Sequence, residues 1–177
     1  AVVLERLPYG DPARVVVFDA YNARQSASAM LTPAEAAGMA GEDGVFERVA
    51  RYNWSGETLV NPGERPREFT VAMVTADFFA ILSPRMLLGR AIEPGDIASG
   101  ARVIVLSHRE WQRAFGGDPQ VIGRKMPLAY GDAEVIGVLP PSFQYPGTDV
   151  GGWLPMFPRF EPKPDAPEYA NARYVPT

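Results

Sequence analysis

Apolar residues along the chain come in short, interrupted runs, and the way each run is interrupted predicts an element. Val103-Ile104-Val105-Leu106 is a continuous β-branched and aliphatic run of strand length. Ser107-His108-Arg109-Glu110 follows with the spacing of a helix capping box, and Trp111, Ala114 and Phe115 then recur at i, i+3 and i+4. Gly116-Gly117 supplies a stop and Asp118-Pro119 opens a further turn. Strand, cap, helix and stop agree with no slack between them, so the stretch Thr75 to Pro146 is predicted to be organised around residues 103–123. The apolar stripe of the helix is expected to face a core.

The remaining segments read less uniformly. A short strand is expected at Val2–Leu4, a turn at Leu7–Pro12, a buried strand at Arg14–Phe18, and a loop from Tyr21 to Met30. Thr32-Pro33-Ala34-Glu35 predicts a capped helix over 33–40, stopped by Gly41. Residues 45–53 suit helix and strand equally. Gly56 and Asn61-Pro62-Gly63 are expected as turns around a hairpin arm at Glu57–Val60. Arg67–Val74 alternates as a strand with Phe69, Val71 and Met73 on one face, and Thr75 is expected to cap a brief helix carrying Phe78, Phe79 and Leu82, ended by Ser83-Pro84. Residues 87–90 and 93–96 read as connections. Gly131-Asp132 predicts a two-residue turn between strands at 124–130 and 133–139, and Trp153-Leu154-Pro155 a short apolar return. The Pro-rich, charged stretch 158–172 reads as solvated.

Composition narrows the class. The 177 residues suit one domain or two small ones, and 46% hydrophobic content with three Trp supports a core that hides about 70% of the unfolded surface. A net charge of −4 argues against nucleic acid as a partner. With no Cys and one His, neither a disulfide framework nor a thiolate metal site forms, and no acidic spacing suggests a calcium loop. No window approaches the ~18 apolar residues of a membrane span. The chain starts at Ala1 and closes on Val175-Pro176-Thr177, and it reads as a fragment of something larger.

Candidate chemistry is sparse. His108 beside Ser107 and two residues before Glu110 invites a hydrolase reading, but a nucleophile and its base must converge to about 3 Å, usually from separate elements. At a helix start Ser107 turns onto the backbone instead, which leaves His108 exposed with Gln112 on the face away from Trp111 and Phe115. Carboxylate pairs meet only in a fold, so a soluble hydrolase using such a pair or His108 stands as the alternative class. Gly116-Gly117 lacks the Lys-Ser/Thr of a phosphate loop. Arg102, Arg109, Arg113, Arg124 and Lys125 outnumber nearby acids, a mild basic face expected to be solvated. Arg90 is placed to pin its loop through Glu93 or Asp96.

An ordered series of motifs resembles a known family. Thr75-Ala76-Asp77-Phe78-Phe79-Ala80-Ile81-Leu82, Leu88-Gly89-Arg90, Val103 to Ser107, Trp111 with Phe115-Gly116-Gly117-Asp118-Pro119, and Val121-Ile122-Gly123-Arg124 come first. Val135-Ile136-Gly137-Val138, Pro140-Pro141-Ser142-Phe143, Tyr145-Pro146 and Trp153-Leu154-Pro155 continue it. The series is similar to the MacB-like periplasmic core domain of ABC-type permeases, in particular the Acidobacterial duplicated orphan permease group. The resemblance implies an α+β fold in two parts: a porter-like βαβ-type subdomain starting at residues 1–52, an inserted mixed α/β subdomain at 53–160, and a truncated return at 161–177. It implies a domain on the periplasmic side of the inner membrane, joined to the parent's transmembrane helices. An ABC ATPase subunit, a periplasmic adaptor and a dimeric parent are the implied partners. No catalytic residue, metal or cofactor is carried over. Phe79, Gly89, Arg90, Trp111, Phe115, Gly116, Gly123, Gly137, Pro141, Phe143, Pro146 and Trp153 are implied as structural positions. A signalling or scaffolding ectodomain is a further alternative.

Overall fold

In the computed structural model the described residues are 14–17, 20–22, 27–29, 33–41, 44–61, 63 and 65–156. Expectations for Val2–Leu4, Leu7–Pro12, the Thr32 cap and everything after Met156 lie outside them. The N-terminal part contains a hairpin of β1 (Ala20–Asn22) and β2 (Ala27–Ala29), then α1 (Pro33–Met39) ended at Gly41 with φ +95°. The loop expected at Tyr21–Met30 is thus corrected to two strands, each too short for alternation to be read. The strand expected at Arg14–Phe18 is also corrected: residues 14–17 pair with no strand, although Val15 and Val17 pack on the core while Val16 is exposed.

Among the described residues the main sheet has seven strands: β3 (Tyr52–Leu59), β4 (Arg67–Val74), β5 (Leu88–Gly89), β6 (Val103–Leu106), β7 (Lys125–Met126), β8 (Ala133–Val138) and β9 (Val150–Pro155). Their order is β3-β4-β9-β6-β8-β5, with β7 also on β8. The β4–β9 and β6–β8 pairs are parallel and the others antiparallel. Successive side chains point to opposite faces, and both faces of the central strands are buried. Ala72, Val74, Val103, Val105, Ile136 and Trp153 face one core with Phe78, Phe79 and Leu82 of α2 (Asp77–Leu82). Val71, Ile104, Leu106, Val135, Val138 and Leu154 face the other with Trp111 of α4 (His108–Phe115), and Phe69 and Met73 lie on this side as expected.

Several local expectations are corrected by specific bonds. Gly56 makes no turn: β3 runs straight through it as one eight-residue strand, which also resolves the ambiguity of residues 45–53 from Tyr52 onward. Thr75 does not cap α2. Its hydroxyl accepts from Arg51 N at 2.9 Å, and Ala76 holds the cap position with no side-chain bond. The connections at 87–90 and 93–96 are β5 and part of α3 (Pro94–Ser99), where Glu93 and Asp96 form the capping box and Pro94 occupies the first turn. Gly131-Asp132 is not a two-residue hairpin turn, because β7 ends at Met126 and Leu128 bridges to Leu59 instead.

Candidate functional site

The β6–α4 junction is built as its sequence demands at one end and differently at the other. Ser107 Oγ accepts from Glu110 N at 3.1 Å. The Glu110 carboxylate does not return to the cap, as a full capping box would require. It takes two hydrogen bonds from the Arg67 guanidinium on β4, one of them at 3.3 Å and the other short. Glu110 is 3% exposed, so the charge is nearly dry, and its place in the first turn of α4 suits the positive end of the helix. His108 is corrected too: it is half-buried with its ring edge-on to Trp111 at 5.4 Å rather than turned away. Ser107, His108 and Glu110 therefore point at backbone, indole and guanidinium, not at one another.

A second clasp holds α3. Arg90 donates to both Asp96 carboxylate oxygens at 2.6 and 2.8 Å, and Glu93 N donates to one of them at 2.9 Å. Of the two acids near Arg90 in the sequence, Glu93 and Asp96, it is Asp96 that takes the guanidinium. The hydrogen bonds from Arg90 hold the Asp96 carboxyl below the usual carboxylate range, against the opposing effect of burial. Burial pushes Glu57 the other way, upward, with Arg102 offsetting it. The signs differ. Asp96 contributes stability that is complete above its unfolded pKa and lost as pH falls through the depressed folded value, whereas Glu57 penalises the folded state above the usual Glu range and is relieved as pH falls. In an acid titration followed by urea unfolding, Arg90→Ala is expected to remove the loss at low pH, and Glu57→Gln the gain at mildly acid pH.

The twelve positions implied by the resemblance fall into separate groups. Phe79, Phe143 and Trp153 form one aromatic wall, with ring centroids 5.4 to 6.4 Å apart. Gly89 and Gly137 face each other across β5 and β8. A Cβ on Gly137 would meet the Arg90 carbonyl oxygen at 2.2 Å, and one on Gly89 the Ile136 carbonyl at 2.1 Å with φ at +62°. Backbone cannot yield as a side-chain tip can, so Gly137→Ala is expected to cost about 1–3 kcal/mol and to release β5 first. Hydrogen exchange at Leu87 and Arg90, whose N–H groups bond Val138 and Ile136, measures that release. Trp111 donates to Asp118 O at 2.9 Å, Arg124 lies over the Phe115 ring, and Gly116 closes α4 in the left-handed region. Gly123 donates to Val135 O, Pro141 lies exposed just before Phe143, and Pro146 follows a cis bond.

A shallow cleft of about 140 Å³ lies between α2 and residues 14–17 and 46–50, lined chiefly by Val15, Val17, Ala50, Tyr52, Phe78 and Tyr145. Its wall is apolar in the larger part, with Arg14 and Arg48 also lining it, and its volume is below that of pockets that enclose small-molecule ligands. Among the described residues no group of three or more His, Cys, Asp or Glu could hold a metal ion, and no helix is long and apolar enough to cross a membrane. The Arg67–Glu110 pair was not legible in the sequence, because its members are 43 positions apart and the local signal that Glu110 carries points to the helix cap instead.

A family model described as the MacB-like periplasmic core domain matches residues 4–173. Among solved structures, the chain is similar to the extracellular domain of the noncanonic ABC-type transporter YknZ from Gram-positive bacteria, at 21% identity and a TM-score of 0.57 over 71% of this chain and 62% of that one. It is also similar to the periplasmic region of MacB from Actinobacillus actinomycetemcomitans, at 17% identity and a TM-score of 0.50 over 61% of this chain and 47% of that one. The chain thus spans roughly half to three fifths of the length of these neighbours. At such identities the likeness is one of fold, and the α+β class expected from the sequence is shown. No curated protein sequence matches the chain.

Proposed function

The chain belongs to the MacB-like periplasmic core domain family, and we propose that it is the non-catalytic, extracytoplasmic domain of an ABC-type transporter permease, contributing to export or to mechanical coupling. The match over residues 4–173 carries this reading. The chemistry of the described residues supports it: the buried charges are paired to guanidinium groups, and Ser107, His108 and Glu110 do not converge. On this reading the domain faces the periplasm from the inner membrane. Residues 1–52 and 161–177 belong to a porter-like part, and 53–160 to an inserted part. Its partners are the parent's transmembrane helices, an ABC ATPase subunit, a periplasmic adaptor and a second parent molecule. Deleting residues 53–160 from the parent is expected to abolish export while leaving membrane assembly intact. Unchanged export, or turnover of a small-molecule substrate that depends on His108, would overturn the reading.

A further inference from the structure

The main sheet closes on itself. β7 runs on into residues 127–129, and these lie along the end of β3: Ala129 N donates to Thr58 O and Val60 N to Pro127 O, both at 2.9 Å, with Leu59 and Leu128 bridged antiparallel between them. The strands β3-β4-β9-β6-β8-β7 thus make a ring, and Leu59, Met126, Leu128 and Val135 lie in the core it shares with Trp111. The seam is the ring's weakest joint, one bridged pair where the β3–β4 ladder has eight.

Glu57 stands beside this seam and points inward. It is set opposite Phe69, on the face that also carries Leu59, because side chains alternate along a strand. One of its carboxylate oxygens is buried with no hydrogen-bond partner among the described residues. The cations around it are engaged elsewhere: Arg67 of β4 with Glu110 of α4, and Arg102, at the entry to β6, with the carbonyl oxygens of Gly131 and Asp132 at 2.9 and 3.4 Å. Asp132 adds a negative charge to that turn, and Glu68, next to Phe69, belongs to the other face of β4. A buried carboxylate without donors is costly only while it is ionised, and parting the seam lets water reach it.

We propose that the seam between β3 and residues 127–129 is a pH-sensitive latch, held shut while Glu57 keeps its proton and opening locally more often once Glu57 gives it up, with the rest of the ring intact. The sign follows from the burial, which raises the Glu57 carboxyl while Arg102 offsets part of the rise. In the opened seam the carboxyl returns towards its ordinary range. Opening is therefore rarest at or below that range, grows as pH rises through the raised value of the closed form, and is level above it. Acid tightens the ring, and loss of the proton frees the stretch that covers Leu59 and Leu128.

Amide hydrogen exchange of the 177-residue chain, corrected for the intrinsic pH dependence of exchange, reads the latch at Val60 and Ala129. Both N–H groups are expected to exchange about tenfold or more faster than those of Leu139 and Ser107, which bond Leu106 and Gly151 inside the sheet. Their opening equilibrium is expected to grow about threefold between about pH 4 and pH 8. Glu57→Gln keeps the shape and never ionises, so it is expected to hold the low opening at every pH. The chain has no Cys, so Leu59→Cys with Leu128→Cys places a single disulfide across the seam; such a non-hydrogen-bonded pair is about 4.5 Å apart at Cα, within disulfide reach. Oxidised, that variant is expected to slow Val60 and Ala129 to the level of Leu139 and Ser107, and reduction to release them. Seam amides as protected as the inner ones in the unaltered chain overturn the proposal. So does a pH dependence that survives in Glu57→Gln, or fast exchange in the oxidised variant. None of these outcomes bears on export, so the transporter reading stands or falls separately.

Discussion

Arg67→Met is expected to lower the unfolding free energy by about 3 kcal/mol, and more than Glu110→Gln does. Both changes break the same pair, but they strand different charges. The Arg67 side chain keeps 22% of its surface exposed and can carry its guanidinium to water, whereas Glu110, at 4%, leaves a carboxylate between β4 and α4 with nothing to accept from. Desolvating an unpaired charge is the larger cost. The double variant Arg67→Met/Glu110→Met removes the stranded group and should recover most of the loss. Urea unfolding of the three variants checks the order, and a melting temperature lower by about 10 °C for Arg67→Met is the matching thermal result. Equal losses for the two single variants would mean that the site is wetter than its geometry says.

Trp153→Ala is expected to cost about 3–5 kcal/mol, the largest effect of any single core truncation here. Its indole is 1% exposed, stands edge-on to Phe79 and Phe143, and lies on the central strand β9. Its N–H has no hydrogen-bond partner among the described residues. Trp153→Phe therefore loses volume but also removes an unsatisfied buried donor, and these two terms oppose each other. Its cost should be about 1 kcal/mol. Chemical denaturation of both variants decides the matter: a Phe variant as damaged as the Ala variant would show that the indole nitrogen is satisfied in solution.

These two residues also mark what the sequence made legible. Trp153 belongs to an apolar run, and such a run reads as buried whatever its neighbours are. The β6–α4 unit was legible for the same reason: its strand, cap and stop are local, and each acts within four residues. The Arg67–Glu110 bond could not be read, since Glu110 spends its carboxylate on a residue 43 positions away rather than on the cap three positions back. Helix α3 hid because its cap is a Glu and its six residues hold too few turns for periodicity. Strand β5 hid because two residues have no alternation at all, and only the glycine contact at Gly137 betrays how closely it lies. Gly56 misled by composition: glycine permits a bend, and here the ladder to β4 overrides the permission.

The sheet's topology has a consequence for how load passes through it. Tyr52 at the start of β3 and Pro155 at the end of β9 both register with Val74, one on each side of β4. The chain thus enters and leaves at a single corner, through two strands about 10 Å apart. Tension between the two legs loads the β3–β4 ladder from its Tyr52 end one bond at a time, so it is expected to peel β3 away before it shears the middle of the sheet.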